Sequence, residues 1–228
     1  MGQCNDIDCG HERGVALALA ILAIILVWAF AGAAIAADAP ATAASASTPM
    51  TFEDYASAPS TATGPNADKI ARGKYLVTIT GCNDCHTPLK MGPNGPDRDV
   101  TRLLSGHPEQ LTVTAPAPHP PQPWDSTVTP TFTAWTGPWG VSFTANLTPD
   151  PETGLGKWTF RNFKDTIRSG RHQGRGREIL PPMPIPMYRH MKDEDLEAIF
   201  SYLQSIPPVK NKVPEPLPPP AATASGGM

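Results

Sequence analysis

The sequence contains few charged residues, few cysteines and no internal repeat, and each shortage excludes a class of protein. Asp, Glu, Lys and Arg make up 17% of the 228 residues and the net charge is −3. The chain therefore has neither a solvated acidic tail nor the strongly basic balance of a nucleic-acid-binding protein. Four cysteines are too few for a disulfide scaffold in a chain of this size. No segment recurs with a fixed period, which excludes a solenoid.

Proline, in contrast, is abundant, with 28 residues, and its distribution divides the chain. Residues 38–65 are mainly Ala, Ser, Thr and Pro and predict a flexible linker, and the prolines of residues 207–228 predict a disordered tail. The folded domain is then expected at residues 66–206. Within it, residues 108–138 are dense in Pro, Thr and Trp and follow neither the helical nor the strand period. They predict a long irregular insertion, and the adjacent His107 is expected to be exposed to solvent.

An apolar run from Val15 to Ala37 has no charged residue and is long enough to cross a bilayer as a helix. Two interpretations of residues 1–37 remain open, an uncleaved membrane anchor and a signal segment that is cleaved at small residues near its end. Both place the rest of the chain outside the cytoplasm. Cys4 and Cys9 precede the run and are interpreted as ordinary thiols of a short tail.

Three helices are predicted from the spacing of apolar residues and from start and stop signals. Thr159 fits the N-cap of the second helix, and Gly170 fits its end. The third helix carries an apolar stripe at the spacing of a core-facing side. No alternating strand pattern competes, so the sequence predicts an all-α fold. The predicted helices cover residues 67–80, 160–169 and 193–205.

The motif Cys82-Asn83-Asp84-Cys85-His86 follows the first predicted helix. It has the form C-x-x-C-H, which is the attachment sequence of a c-type haem. Two thiols at this spacing can form thioethers with the two vinyl groups of one porphyrin, and the next side chain can reach the iron. A redox dithiol usually ends a strand, and half of a zinc site needs a second ligand pair. Neither context is present in the sequence, so we predict one covalent haem c with His86 as the proximal ligand.

With this motif, the chain resembles the class I cytochrome c family, and within it the cytochrome c subunits of periplasmic alcohol- and aldehyde-type dehydrogenases. The resemblance covers about 140 residues. It implies three to five helices around the haem, with the first and last helices crossing where Gly73 permits a close approach. The best-known alcohol dehydrogenase subunits carry three haem motifs, so the one motif here implies a single-haem relative. The resemblance rests on ARGKYL at 71–76, NLTPD at 146–150, TGLG at 153–156, PMP at 182–184, MKDEDL at 191–196 and AIFSYL at 198–203.

The second iron ligand is open when the residues are considered alone. Met183, Met187 and Met191 all lie between the second and third helices, and His172 and His190 are less favoured substitutes. A thioether ligand raises the reduction potential relative to two histidines. In the family that the chain resembles, the ligand is the methionine of the Pro-Met-Pro segment, which corresponds to Met183. Met187 and Met191 are then expected to pack in the core or against the haem.

The resemblance implies an electron carrier and not an enzyme. Its donor would be a periplasmic or membrane dehydrogenase, and its acceptor another cytochrome or an oxidase. Two forms of this hypothesis remain open, a mobile periplasmic carrier and a fixed subunit of a membrane-bound dehydrogenase complex on the periplasmic side of the inner membrane. A third hypothesis is an open iron site for gas or peroxide, but the sequence shows no distal His and Arg pair with recognisable spacing.

Charge is concentrated in one part of the folded domain. Residues 157–177 contain seven basic residues and one acidic residue. Such a cluster can steer an acidic partner towards the haem. The alternative interpretation is a solvated helix face followed by an exposed loop.

Overall fold

The computed structural model describes residues 49–113 and 126–219, which all belong to one unit of the chain, Ser47–Met228. Within these residues there are six α-helices, which are α1 (Phe52–Ser57), α2 (Ala67–Ile79), α3 (Cys82–His86), α4 (Phe160–Ser169), α5 (Ile185–Tyr188) and α6 (Asp193–Leu203). The same residues form five short strands, which are β1 (Leu89–Gly92), β2 (Gly95–Arg98), β3 (Thr127–Val128), β4 (Ala134–Gly137) and β5 (Gly140–Phe143). The three predicted helices correspond to α2, α4 and α6 and are confirmed.

α2 and α6 cross in close contact at Gly73. A Cβ atom at this position would clash with the backbone carbonyl of Ala198, so only glycine lets the two helices approach this closely. Full burial of a large apolar side chain contributes about 1.5–3 kcal/mol, and the crossing buries several. They include Leu76, Val77, Leu196, Ile199 and Leu203.

α4 begins and ends at the residues that the sequence indicated. The Thr159 hydroxyl accepts a hydrogen bond from the Asn162 amide at 3.2 Å, and the Asn162 side chain accepts one from the Thr159 amide at 3.1 Å. Gly170 ends the helix with a φ of 71°, a left-handed conformation that favours glycine. Phe163 and Ile167 are buried, so α4 contributes its apolar side to the main core.

The all-α prediction is wrong, because the described residues form two small antiparallel sheets. β1 and β2 form a hairpin, and β3, β4 and β5 form a three-stranded sheet. The strands have two to four residues, which is too short for an alternating pattern to show in the sequence. The predicted insertion at 108–138 is therefore partly sheet, and its residues 114–125 lie outside the described part.

The three-stranded sheet has its own core, and His107 belongs to it. Ala134, Val141 and Phe143 form this second cluster. The His107 ring is fully buried with its centroid 4.8 Å from that of Phe143. Its Nε2 lies 2.8 Å from the Leu111 carbonyl oxygen. The predicted exposure of His107 is therefore wrong.

The segment 207–219 is not a disordered tail but packs against the domain. Asn211 is fully buried, and its side-chain amide donates to the carbonyl oxygens of Ser105 at 2.7 Å and His107 at 2.9 Å. Leu217 and Val141 exchange two backbone hydrogen bonds of 2.9 Å. Proline removes backbone donors, but it does not prevent the side chains and carbonyls between prolines from binding the domain. Residues 220–228 lie outside the described part.

The predicted linker at 38–65 is also partly folded. α1 begins at a Thr51 capping box, and the Tyr55 hydroxyl forms a hydrogen bond with the Tyr202 hydroxyl. The Lys74 ammonium donates to the Tyr55 carbonyl oxygen at 2.8 Å. Burial raises the pKa of Tyr55 to about 12. Residues 49–65 therefore lie against the crossing of α2 and α6.

The predictions for the N-terminal region concern residues outside the described part, namely residues 1–37, the apolar run from Val15 to Ala37, and both Cys4 and Cys9. Among the helices of residues 49–113 and 126–219, none has the length and apolar character needed to cross a membrane.

Candidate cofactor site

The two cysteines and the histidine of the motif lie on the short helix α3. Gly81 precedes this helix with a φ of 74° and lets the chain turn sharply out of α2. Cys82 and Cys85 are three positions apart and therefore share one side of the helix. Both are free thiols, and burial raises the pKa of each. Neither is therefore the stabilised thiolate that a redox dithiol uses.

The motif faces a cavity of about 340 Å³ that is lined mainly by apolar side chains. Both cysteines and His86 line it, and so does Met183. The apolar walls come from α4, α6 and the loops around them, and they include Leu155, Phe163, Ile167, Ile179, Leu196 and Ile199. Residues far apart in the sequence thus meet around one cavity.

The His86 side chain is 9% exposed and is held by a backbone carbonyl. Its Nδ1 lies 2.8 Å from the Ala145 oxygen. A carbonyl only accepts, so Nδ1 carries the proton and Nε2 keeps a free lone pair. Burial lowers the pKa of His86, although the bond to Ala145 opposes this shift. The ring is therefore a neutral imidazole with one nitrogen available as a ligand.

Arg98 of β2 fixes α3 from the side. Its Nε donates to the Asn83 carbonyl oxygen at 3.0 Å, and its Nη2 lies 2.6 Å from Asp84 Oδ1. Its guanidinium also lies over the Phe52 ring, 5.2 Å from the centroid. This role could not be predicted from the sequence because a lone arginine in a short strand carries no pattern. The role of Ala145 could not be predicted either, since any residue can supply a carbonyl.

The methionine and histidine candidates for the second iron ligand differ in whether they line the cavity. Met183 is half-buried and lines the cavity, and Met191 lines it too. Met187 is 72% exposed, so the expectation that it packs in the core is wrong. His190 is exposed and does not line the cavity, whereas His172 lies at its rim.

One part of the cavity rim is polar, and the C-terminal segment 207–219 contributes to it. His172 and Arg177 line it, together with Glu215 from residues 213–216. Arg177 Nε lies 3.3 Å from Glu215 Oε2. Burial lowers the pKa of His172, and the Arg177 charge lowers it further, while Glu215 opposes the shift. This rim was not foreseen, because residues 207–228 were expected to be disordered.

The residues around the cavity fit a haem c. The cavity offers two thiols on one helix face, an imidazole with a free Nε2, a thioether and apolar walls, which match the attachment groups, ligands and body of that cofactor. A structural zinc site instead needs four converging ligands. Residues 49–113 and 126–219 contain no cluster of three or more His, Cys, Asp or Glu side chains that could hold a metal ion.

Comparison with known proteins also shows similarity to cytochromes c. No family model matches the chain. A nicotinate dehydrogenase subunit of Pseudomonas putida is 39% identical over 77 residues, which cover 34% of this chain and 6% of that protein. The cytochrome c subunit of the quinone alcohol dehydrogenase of Gluconobacter oxydans is 25% identical over 149 residues, which cover 64% of this chain and 24% of that subunit.

A third relative is a diheme cytochrome c-type protein of Cereibacter sphaeroides, which is 28% identical over 141 residues. The match covers 61% of this chain and 37% of that protein. In each of these three comparisons the chain spans well under half of the relative's own length. The chain is a cytochrome c relative of dehydrogenase subunits.

Proposed function

We propose that the chain is a single-haem c-type cytochrome that carries electrons and catalyses no reaction of its own. In this proposal Cys82 and Cys85 hold the haem through thioethers, and His86 and Met183 bind its iron. The observation that supports it most is that these four side chains line one cavity. The single haem follows from the single C-x-x-C-H motif of the sequence.

The haem supplies one-electron exchange between ferrous and ferric iron, and the chain's own residues set the conditions for it. The Ala145 carbonyl orients the His86 ring. Apolar walls exclude water, which raises the cost of the added charge of the ferric state. Pro182 and Pro184 flank Met183 and restrict its loop, so binding the thioether costs little chain entropy.

The names of the relatives suggest the donor. The quinone alcohol dehydrogenase relative is a subunit of a dehydrogenase, so we propose a dehydrogenase as donor and another cytochrome or an oxidase as acceptor. We also propose a location on the periplasmic side of the inner membrane, because the apolar run from Val15 to Ala37 would export the residues after it. The chain would be anchored or released according to the fate of this run. Equimolar co-purification with a dehydrogenase would distinguish a fixed subunit from a mobile carrier.

The test is the optical spectrum of the full chain, produced with a c-type haem maturation system. We expect low-spin spectra and, in the oxidised form, the weak long-wavelength band of methionine-ligated haem. Met183→Ala should abolish this band. Met191→Ala is the matched control because Met191 lines the same cavity, and it should retain the band. A high-spin spectrum of the unmutated protein would contradict the proposal and support an open iron site.

A further inference from the structure

Half of the chain's cations lie in one stretch of sequence. Residues 157–192 contain nine of the 18 Lys and Arg residues but only two of the 21 Asp and Glu residues. The rest of the chain is consequently acidic. This stretch includes α4, α5 and the Met183 loop, so the charge asymmetry is centred on the candidate cofactor site.

The structure shows which of these cations already have an acidic partner. Lys164 and Arg168 both pair with Asp193, at 3.1 Å and 2.6 Å. In the cluster at 157–177, three exposed cations form no ion pair with any described residue, namely Lys157, Arg171 and Arg175. Two of these three lie in the loop that follows α4.

This loop, which we call the cationic hairpin, comprises residues 170–179. The Ile179 amide donates to the Gly170 carbonyl at 2.8 Å, and the His172 amide donates to the Arg177 carbonyl at 2.9 Å. Gln173 has a φ of 50°, a left-handed conformation that is uncommon for a residue other than glycine. Such backbone strain persists only where the surroundings enforce it. The hairpin therefore has a defined backbone conformation.

The cationic hairpin also forms part of the cavity rim. His172 and Arg177 line the cavity, and the His172 ring centroid lies 5.1 Å from that of Trp158 in an edge-to-face arrangement. Trp158 lines the cavity as well. Arg171 and Arg175 are thus neighbours in sequence of side chains that border the cofactor site.

One carboxylate of the chain itself shows what the hairpin binds. Glu215 is exposed, with 85% of its side chain accessible, yet it lies 3.3 Å from Arg177. It reaches the hairpin from the C-terminal segment. A carboxylate on a neighbouring surface is therefore a suitable ligand, and Arg171 and Arg175 are free to bind further ones.

We propose that the cationic hairpin is the docking surface for a redox partner protein whose contact surface is rich in carboxylates. This inference rests on the proposed electron-carrier function. A partner docked here would exchange electrons across the rim that His172 and Trp158 form. An anionic membrane is the less suitable occupant, because interfacial binding needs exposed apolar side chains beside the basic ones. The hairpin has one large apolar side chain, Ile179, which is half-buried and lines the cavity.

The first test measures binding of the haem-loaded full chain to a poly-L-glutamate decamer by calorimetry at low salt. We expect binding that weakens as salt is added, and about tenfold weaker binding by the double variant Arg171→Glu with Arg175→Glu. The matched control is Lys192→Glu with Lys212→Glu, which makes the same charge change at two exposed positions that form no ion pair with a described residue and lie outside the cavity lining. Equal weakening in both variants, or no binding by the unmutated chain, overturns the proposal.

The second test follows oxidation of the reduced protein by hexacyanoferrate(III), an anionic reagent. The hairpin variant should react about tenfold more slowly at low salt, while the control variant should change about twofold or less. An unchanged rate overturns the assignment of this rim as the electron-exchange edge. Binding to phosphatidylglycerol vesicles without binding to poly-L-glutamate would replace the partner protein by a membrane. A high-spin spectrum, in contrast, contradicts the haem ligation, and the decamer result remains valid without it.

Discussion

Gly73 of α2 lies directly against the backbone carbonyl of Ala198 in α6, with no space for a side chain between them. The neighbouring buried side chains Leu76 and Leu196 belong to the same core. The contact joins helices at opposite ends of the domain's sequence. Any group added at position 73 must therefore separate the two helices.

Gly73→Ala should lower the free energy of unfolding by about 1–3 kcal/mol, the usual cost of overpacking a core. The measurement is urea unfolding of the haem-loaded protein followed by circular dichroism. Ala71→Ser, an exposed position on the same helix, is the control and should change stability by about 0.5 kcal/mol or less. An unchanged midpoint for Gly73→Ala would mean that the helices can move apart freely.

Arg98→Gln should destabilise α3. Arg98 donates two hydrogen bonds to α3, one of them to a carboxylate, and a hydrogen bond to a charged group contributes about 1.5–3 kcal/mol. Thermal unfolding of the haem-loaded protein measures the loss. Lys90→Gln removes an ion pair in which the lysine is half exposed, and it should cost about 1 kcal/mol or less. If the two variants unfold alike, Arg98 has no special role in holding α3.

His107 should make the folded state sensitive to acid. Burial lowers its pKa below the unfolded value of 6.5, although its hydrogen bonds to Leu111 and Thr133 oppose the shift. The folded state therefore favours the neutral ring, and its contribution to stability is complete above pH 6.5 and declines as the pH falls below it. Urea unfolding between pH 7.5 and 5 should show this decline.

The matched variants for this effect are His107→Gln and His190→Gln. The first should be less stable at pH 7.5 but should lose less additional stability on acidification. The second changes an exposed histidine and should keep the original pH dependence. An identical pH slope in all three proteins would exclude His107 as the source.

Asn211→Ala should release the C-terminal segment. Besides the two carbonyls that its amide reaches, Asn211 accepts from the Arg102 guanidinium at 2.8 Å and from the Glu109 amide at 3.0 Å. A buried polar group that loses its partner costs about 1–3 kcal/mol, so the loss should be at least ~2 kcal/mol. Limited proteolysis should then cut within residues 207–219, whereas Lys212→Ala should leave this segment protected.

The sequence was sufficient to predict the features that repeat a pattern or use a distinct end signal. These features include the helix α4 between Thr159 and Gly170, whereas the close approach at Gly73 was expected from the family resemblance. It was not sufficient for features made by single long-range contacts. Asn211 is one polar residue in a proline-rich run, and nothing nearby indicates that its amide reaches Ser105. The strands were missed for a related reason, since their pairing and not their composition defines them.

The cavity also imposes an order on assembly. Because a chain is made from its N-terminus, synthesis reaches α3 long before residues 213–216, which form one wall of the cavity. An unfinished chain therefore has its cysteines on an open groove. Closure of the pocket depends on contacts between distant parts of the sequence, which form slowly. The wall at residues 213–216 therefore decides when the cavity around the two cysteines closes.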